Sequence, residues 1–226
     1  MAVQKEILLV SPVRVLETLV QLVQQGSFWA SALSSLGRVL LGFSLAVTLG
    51  LLLAVVTCRY RWADMLFSPL LSLVKATPVA SFILLALVWI QTGGVPVFIS
   101  FLMVLPIIWA NVQQGIRQID PGLMEMARVY QLPRQRQLTH IMIPSVMPYF
   151  MSAFSTGMGF AWKSGIAAEV ICLPKVGIGY WLYQAKIYLE TPSLFAWTAV
   201  IVLLSILLEK GIVRLVRLWS DRYQLD

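Results

Sequence analysis

Lys163 and Glu169 are the residues of this sequence with the clearest capacity for chemistry, because both are ionisable and both stand in a largely apolar stretch. A charged side chain at the centre of a membrane helix costs about 3 kcal/mol on insertion scales, so it faces a partner or a cavity. Three interpretations of Lys163 follow: an ion pair with Glu169, attraction of an anionic ligand, or snorkelling of its amine to the membrane surface. The two residues are six positions apart, so a pair between them needs a bend at Gly165.

Other kinds of reactive site are not predicted. The chain has one His and two Cys that are far apart, so the ligand spacing of a metal cluster is missing. It also lacks a glycine-rich phosphate loop of the G-x-x-x-x-G-K-[ST] kind. The sequence therefore predicts no catalytic residues, no metal site and no cofactor bound by this chain.

Composition indicates an integral membrane protein. Of the 226 residues, 59% are hydrophobic and only 12% are charged, and the mean hydropathy is +0.82. Soluble domains have about 25% charged residues. The net charge of +7 is scattered between apolar runs. It is better explained by the excess of Lys and Arg in cytoplasmic loops than by a nucleic acid partner.

Charged residues and turn signals divide the chain into segments. The uncharged run from Ala76 to Ile116 is too long for one span and is broken at Gln91–Pro96, so it predicts two helices. The amphipathic pattern of residues 12–25 predicts a helix on the membrane surface or a connector packed on the bundle. The predicted order is an N-terminal segment 1–33, a membrane domain 34–218 with spans near 37–58, 72–91, 95–116, 144–168 and 193–214, and a tail 219–226.

The distribution of Lys and Arg orients these spans. Most of them fall on the side that receives residues 117–143 and the C-terminus, which places that side in the cytoplasm. The N-terminus and the 169–192 loop then face outward. The aromatic residues of this outer loop predict either an interfacial belt or a surface helix that closes a pathway.

The polar segment 117–143 is punctuated like a rigid element. Asp120-Pro121 is a favourable helix start, and this helix is predicted to run to about Tyr130. Leu132-Pro133 interrupts it, a second short helix begins near Arg134, and Pro144 marks the start of the next span. Two short helices at a fixed angle are therefore expected on the cytoplasmic face.

This segment resembles the cytoplasmic signature of permease subunits of binding-protein-dependent ABC importers. That signature is Glu-Ala-Ala, a Gly four residues later, and Ile-x-Leu-Pro after nine more. The sequence has Glu125-Met126-Ala127, Gln131 in the glycine position, and Ile141-Met142-Ile143-Pro144. Because Gln131 replaces the glycine, the turn is predicted to form without a positive φ.

Further segments resemble the nitrate/sulfonate/taurine-type branch of this family. They are SLGRVLLGF (35–43), KATP (75–78), GFAW (159–162), AAEV (167–170) and VGIGYWL (176–182). The resemblance implies an all-α integral membrane protein with about five transmembrane helices, an N-terminal amphipathic helix and a cytoplasmic coupling segment, as in type I importers. It assigns coupling to an ATPase to Glu125, Met126, Ala127, Tyr130, Gln131, Leu132, Ile141 and Pro144. Together with the ionisable pair, it makes Ser155, Met158, Trp162, Lys163 and Glu169 the candidate translocation path.

The resemblance also implies partners. These are a dimer of ABC ATP-binding subunits that binds ATP and Mg²⁺, a second permease copy, and an extracytoplasmic solute-binding protein, all at the bacterial inner membrane in contact with lipid. The substrate is expected to be a small anion such as nitrate or a sulfonate, with a vitamin precursor such as a pyrimidine as the alternative. An ion-coupled carrier or channel, and a non-transporting membrane scaffold, remain as alternatives from other classes.

Overall fold

The structure is a computed structural model that describes residues 10–223, and the regular elements in this range are all helices. The predicted all-α class is therefore confirmed. Residues 1–9 of the predicted N-terminal segment and residues 224–226 of the predicted tail lie outside this range. The elements are α1 (Pro12–Val23), α2 (Gly26–Arg59), α3 (Arg61–Ala76), α4 (Val79–Trp89), α5 (Val95–Arg117), α6 (Pro121–Val129), α7 (Arg134–Gln137), a π turn (Leu138–Met142), α8 (Ile143–Cys172), α9 (Ile178–Ile187) and α10 (Thr191–Tyr223).

Helix α5 forms the centre of the bundle, packed between α2 and α8. Glycines permit this close approach. A Cβ at Gly42 would clash with the carbonyl oxygen of Val97, and one at Gly165 would lie 2.6 Å from Ser100 Oγ. Ser100 Oγ in turn donates a hydrogen bond to Ala161 O at 3.1 Å. Small side chains therefore hold the three central helices together.

Three of the described helices are long and apolar enough to cross a membrane on their own: α2, α5 and the 191–212 part of α10. Helices α3 and α4 qualify only as a pair, bent by 108°. Helix α8 has 30 residues, about 45 Å at 1.5 Å per residue. It is not among the described helices that are apolar enough over a sufficient length to count as a span. The count of five spans therefore stays a prediction.

The predicted span over residues 72–91 is not a single helix in the structure. Helix α3 ends at Ala76, Thr77 is extended with ψ of 132°, and α4 begins at Val79. The cause is Pro78, because a proline disfavours helical backbone in the residue before it. Helix α4 is about 16 Å long, roughly half of the hydrocarbon thickness, so it needs α3 to complete a crossing.

The two ends of the bundle carry different short helices. Helix α6 follows the C-terminus of α5, whereas α1 and α9 pack beside the beginning of α10. Helix α1 contributes Leu19 and Leu22 to the core and leaves Val13, Leu16 and Val20 exposed. Helix α2 begins at Gly26, well before the predicted span start at residue 37. The N-terminal helix and the 169–192 loop therefore lie at the end opposite α6.

Candidate functional site

Helix α6 begins at the predicted position. The Asp120 side chain accepts a hydrogen bond from Gly122 N at 2.8 Å, and Pro121 occupies the first turn. This cap satisfies a backbone N–H that would otherwise lack a partner. The helix therefore has a defined start immediately after α5, separated from it by only a short turn.

One face of α6 is apolar and exposed. Ala127 is fully buried and anchors the helix, while Met126, Val129 and Tyr130 point outward with exposed fractions of 45%, 78% and 74%. Val129 was missed by the sequence analysis, although it lies three residues after Met126 and so shares its face. Glu125 is exposed, and neither a hydrogen bond nor an ion pair joins it to another residue in the range 10–223. Exposed apolar residues at this density indicate a binding surface.

The turn after α6 differs from the prediction, because Gln131 adopts a positive φ of 50°. Leu132 N donates to Ala127 O at 2.9 Å, and Gln131 N donates to Arg128 O at 3.0 Å. These bonds resemble the Schellman arrangement that ends many helices, in which the left-handed residue is usually glycine. The side chain of Gln137, which follows the turn, also donates from Nε2 to Leu132 O at 2.8 Å and so stabilises the turn.

We expect the substitution Gln131→Gly to raise the free energy of unfolding by about 1 kcal/mol, because it relieves a left-handed conformation that side chains disfavour. The measurement is a thermal unfolding curve of the detergent-purified protein. Gln118→Gly is the matched control, since Gln118 also follows a helix but has a φ of −93°. The control should be neutral or destabilising, and a similar gain in both variants would contradict this explanation.

The second half of the segment is also different from the prediction of a separate short helix. Helix α7 passes through the π turn directly into α8, so residues 134–172 form one continuous helical element. The N–H of Ile143 bonds to Leu138 O, five residues back. A proline ring clashes with the carbonyl four residues before it, and the π turn precedes Pro144 where that clash would occur. Ile141, at this turn, is buried.

A polar cluster that the sequence analysis did not identify joins α3 to the end of α5. Asp64 accepts from Gln113 Nε2 at 2.8 Å and from Arg117 Nη2 at 2.9 Å. Thr57 Oγ1 accepts from Trp109 Nε1 at 2.9 Å and from Gln113 Nε2 at 3.1 Å. The end of α5 that leads into α6 is thus tied to two other helices.

Of the three interpretations of Lys163, the ion pair with Glu169 within one chain is wrong. Glu169 is fully buried and accepts from Arg38 Nη1 at 2.9 Å, from Ser35 Oγ at 2.6 Å and from Gly179 N at 3.2 Å. Lys163 is exposed on α8. Because these three donors satisfy the carboxylate, Glu169 is a structural residue and leaves the candidate translocation path.

Glycines of the outer loop complete this buried site. A Cβ at Gly177 would lie 2.7 Å from Glu169 Oε2, and one at Gly179 would lie 2.6 Å from the carbonyl carbon of Glu169. Ile178 N donates to Ser35 Oγ at 2.9 Å, and Arg38 Nη1 donates to Val176 O at 2.7 Å. Three segments that carried the resemblance, at residues 35–43, 167–170 and 176–182, therefore meet at one point.

The remaining candidate path residues line one cavity. Ser155, Met158, Trp162 and Lys163 surround a space of about 270 Å³ between α8 and α10, which Glu209 of α10 also lines. Trp162 Nε1 donates to Ile201 O at 3.1 Å and fixes the two helices to each other. The sequence-predicted path residues of α8 thus stay together, and Glu209 is an acidic neighbour that the sequence analysis missed.

Comparison with known proteins decides the family. Residues 46–220 match the family of binding-protein-dependent transport system inner membrane components. The chain belongs to this family. It is therefore a permease, an inner-membrane protein that crosses the membrane several times and whose family works with ATP-binding and solute-binding partners.

Relatives of this permease include transport proteins for anions. It is 31% identical over 213 residues to the putative aliphatic sulfonates transport permease protein SsuC of Escherichia coli strain K12, covering 94% of this chain and 81% of the relative. It is 28% identical over 195 residues to the bicarbonate transport system permease protein CmpB of Synechocystis. This match covers 86% of this chain and 69% of the relative. These relatives agree with the nitrate/sulfonate/taurine-type branch.

A solved structure supports the fold. The crystal structure of an amino acid ABC transporter with histidines contains a chain that superposes with a TM-score of 0.67. The match covers 87% of the permease and 94% of that chain, at 18% identity. The predicted fold of type I importer permeases is therefore confirmed.

Proposed function

We propose that two copies of this permease form the translocation pathway of an ATP-driven importer and that α6 couples it to the ATP-binding subunits. One observation carries the proposal: α6 has an exposed apolar face, follows the hydrogen-bonded end of α5 and precedes a continuous helical element, residues 134–172. Movement of α6 would thus reach Lys163 along the chain, through the hydrogen-bonded turn at Gln131 and the 134–172 element. A lever of this kind suits a conformational transition driven from the cytoplasmic side.

The chain supplies no chemistry of its own in this proposal. ATP and Mg²⁺ belong to the partner subunits, and the permease binds neither. Approach of the two ATP-binding subunits moves both α6 helices and turns the pathway between the two permease copies from inward-facing to outward-facing. ATP hydrolysis then returns the pathway to the inward-facing state. Met126, Val129 and Tyr130 would enter an apolar groove of the partner, with Arg128 and Arg134 at its edge.

The exposed face of α8 supports assembly of two copies. Ser152, Thr156 and Lys163 are all exposed and fall on one side of this helix at spacings of four and seven residues. A stripe with a charged residue is unfavourable against lipid tails, so it needs a second protein surface or a water-filled path. A homodimer that places two such stripes around a central path meets this requirement, and lipid then covers the apolar outer faces.

The proposed substrate is a small anion. Lys163 is the basic residue that lines the cavity between α8 and α10, and the hydroxyls of Ser155 and Thr156 lie along the same cavity. Bicarbonate and aliphatic sulfonates, which the relatives' names specify, are solutes of this class. A neutral vitamin precursor such as a pyrimidine is the alternative, and it would not need the lysine.

We expect Lys163→Met to reduce uptake of an anionic substrate at least tenfold while assembly stays intact, because the variant removes the charge and keeps the length of the side chain. Uptake into proteoliposomes measures the effect, and co-purification of the subunits measures assembly. Lys175→Met is the control, because it removes the same charge from the outer loop beyond α8. Normal uptake by the Lys163 variant would contradict the role in anion attraction.

Purification of the intact complex tests the proposed function itself. The permease should co-purify with an ATP-binding subunit whose ATPase rate rises when the solute-binding protein encoded beside it is added. Uptake without any associated ATPase would instead indicate an ion-coupled carrier or channel. An associated complex with no uptake would indicate a non-transporting scaffold.

A further inference from the structure

A groove opens between α1, α9 and α10, at the end of the bundle opposite α6. Its volume is about 450 Å³, within the range of small-molecule sites and so larger than a single side chain requires. Nothing in the proposed coupling or translocation mechanism uses it. It lies beside the outer loop, away from the cavity that contains Lys163.

The floor of the groove is rigid and aromatic. Trp181 and Trp197 stack with their ring centres 6.4 Å apart and their planes 7° from parallel. Phe28 also stacks on Trp197, with ring centres 5.3 Å apart. Trp181 Nε1 donates to Ser31 Oγ at 2.9 Å, which fixes the ring on α2. A floor held in this way is formed before any partner arrives.

The walls are polar and carry a negative charge. Gln21 of α1 and Gln184 of α9 offer amides, and Tyr188 offers a phenol. Among the described residues that line the groove, Glu190 is the charged one. One of its carboxylate oxygens accepts from Ser193 Oγ at 3.2 Å. Aromatic faces beside a carboxylate suit a cation, above all the guanidinium of arginine.

We expect the groove to face water and not the lipid, because the polar sector of α1 lines it. Gln21 and Thr18 of α1 line it, whereas the exposed aliphatic residues Leu16 and Val20 lie on another sector of that helix. Trp197 of the floor is itself part of the hydrophobic core, so the groove does not continue into the bundle. A solute that entered here would find no route across the membrane.

We propose that this groove is the docking socket for the solute-binding protein and that it receives a short loop bearing an arginine or lysine. The inference rests on the proposed function, because it needs the importer and its outward-facing 169–192 loop. The basic side chain lies against the tryptophan floor and pairs with Glu190, while the amides bond to the loop backbone. Docking at this end places the released solute above α9, which packs on α8.

The substitution Glu190→Gln tests the proposal in the complete complex. It removes the charge but keeps an acceptor for Ser193. We expect the concentration of purified solute-binding protein that half-stimulates the ATPase to rise at least fivefold, with the maximal rate unchanged. Raising the salt concentration should weaken docking of the unmodified complex and have little effect on the variant, because salt screens exposed charges.

Glu17→Gln is the matched control, since Glu17 is an exposed acidic residue of α1 outside the groove lining. The docking socket would be overturned if Glu190→Gln had the same half-stimulating concentration as the unmodified complex. It would also be overturned if the two variants had the same half-stimulating concentration, and in both cases the importer would remain. Absence of stimulation in the unmodified complex would overturn both. A change in direct binding of the free solute, measured without the binding protein, would show a solute site and also overturn the docking role.

A second measurement does not depend on turnover. A photoreactive group on cysteine at position 184 (Gln184→Cys) should capture the binding protein, and the same group at position 17 (Glu17→Cys) should capture little. Equal capture at both positions would count against a defined socket.

Discussion

Replacing Glu169 with alanine is expected to lower the free energy of unfolding by about 3–5 kcal/mol, the range for breaking a buried ion pair from one side. The loss leaves Ser35 Oγ and Gly179 N without their acceptor and Arg38 without its counter-ion. The effect is measured by heating the purified complex and recording, at each temperature, the fraction that remains monodisperse. Glu125→Ala is the control, because Glu125 is exposed.

A double variant separates charge from packing. Arg38→Met combined with Glu169→Met should be more stable than Glu169→Met alone, because it no longer leaves a partly buried cation unpaired. The difference between the double variant and the sum of the single variants measures the coupling of the two side chains. Strictly additive losses would show that the ion pair does not hold the outer loop to α2 and α8.

The second large effect is expected at Val129, whose replacement by aspartate should lower stimulated ATPase and uptake at least tenfold. Val129 is 78% exposed, so the substitution does not affect the fold of the permease. In the proposed complex it places an unpaired charge in an apolar groove, which is strongly unfavourable. ATPase and uptake rates of the reconstituted complex measure the loss, and co-purification shows whether docking itself has failed.

Gln135→Asp provides the matched control for Val129→Asp. Gln135 is exposed on α7, and the charge change is the same. We expect this variant to keep at least half of the activity. Equal losses in the two variants would point to general charge repulsion with the partner and against the apolar face of α6 as the docking element.

Much of the 117–143 segment could be predicted from its residues. Asp120-Pro121 caps a helix through contacts within two residues, and the Glu125–Pro144 spacing is read directly along the chain. Gln131 shows the limit of such reasoning. Glutamine alone disfavours a positive φ, but the bonds from Leu132 to Ala127 and from Gln137 to Leu132 impose it. These nearby hydrogen bonds outweighed the intrinsic preference of glutamine for a negative φ.

Val129 marks a second limit. Its spacing from Met126 placed it on one helix face, yet only the burial of Ala127 identified which face turns outward. The bend at Pro78 was not predicted, and its 108° angle depends on how α3 and α4 pack on their neighbours.

The sequence by itself determined the membrane class, the family, the start of α6 and the residues of α8 around Lys163. The membrane class follows from composition, and the start of α6 follows from residues adjacent in the chain. The family and the candidate residues of α8 follow from the resemblance of short motifs to a known family. Only the tertiary structure decided the partner of Glu169. Arg38 lies 131 positions away, and the packing of α2 against α8 brings it within hydrogen-bonding distance, whereas Lys163, only six positions away, points to another side of the same helix.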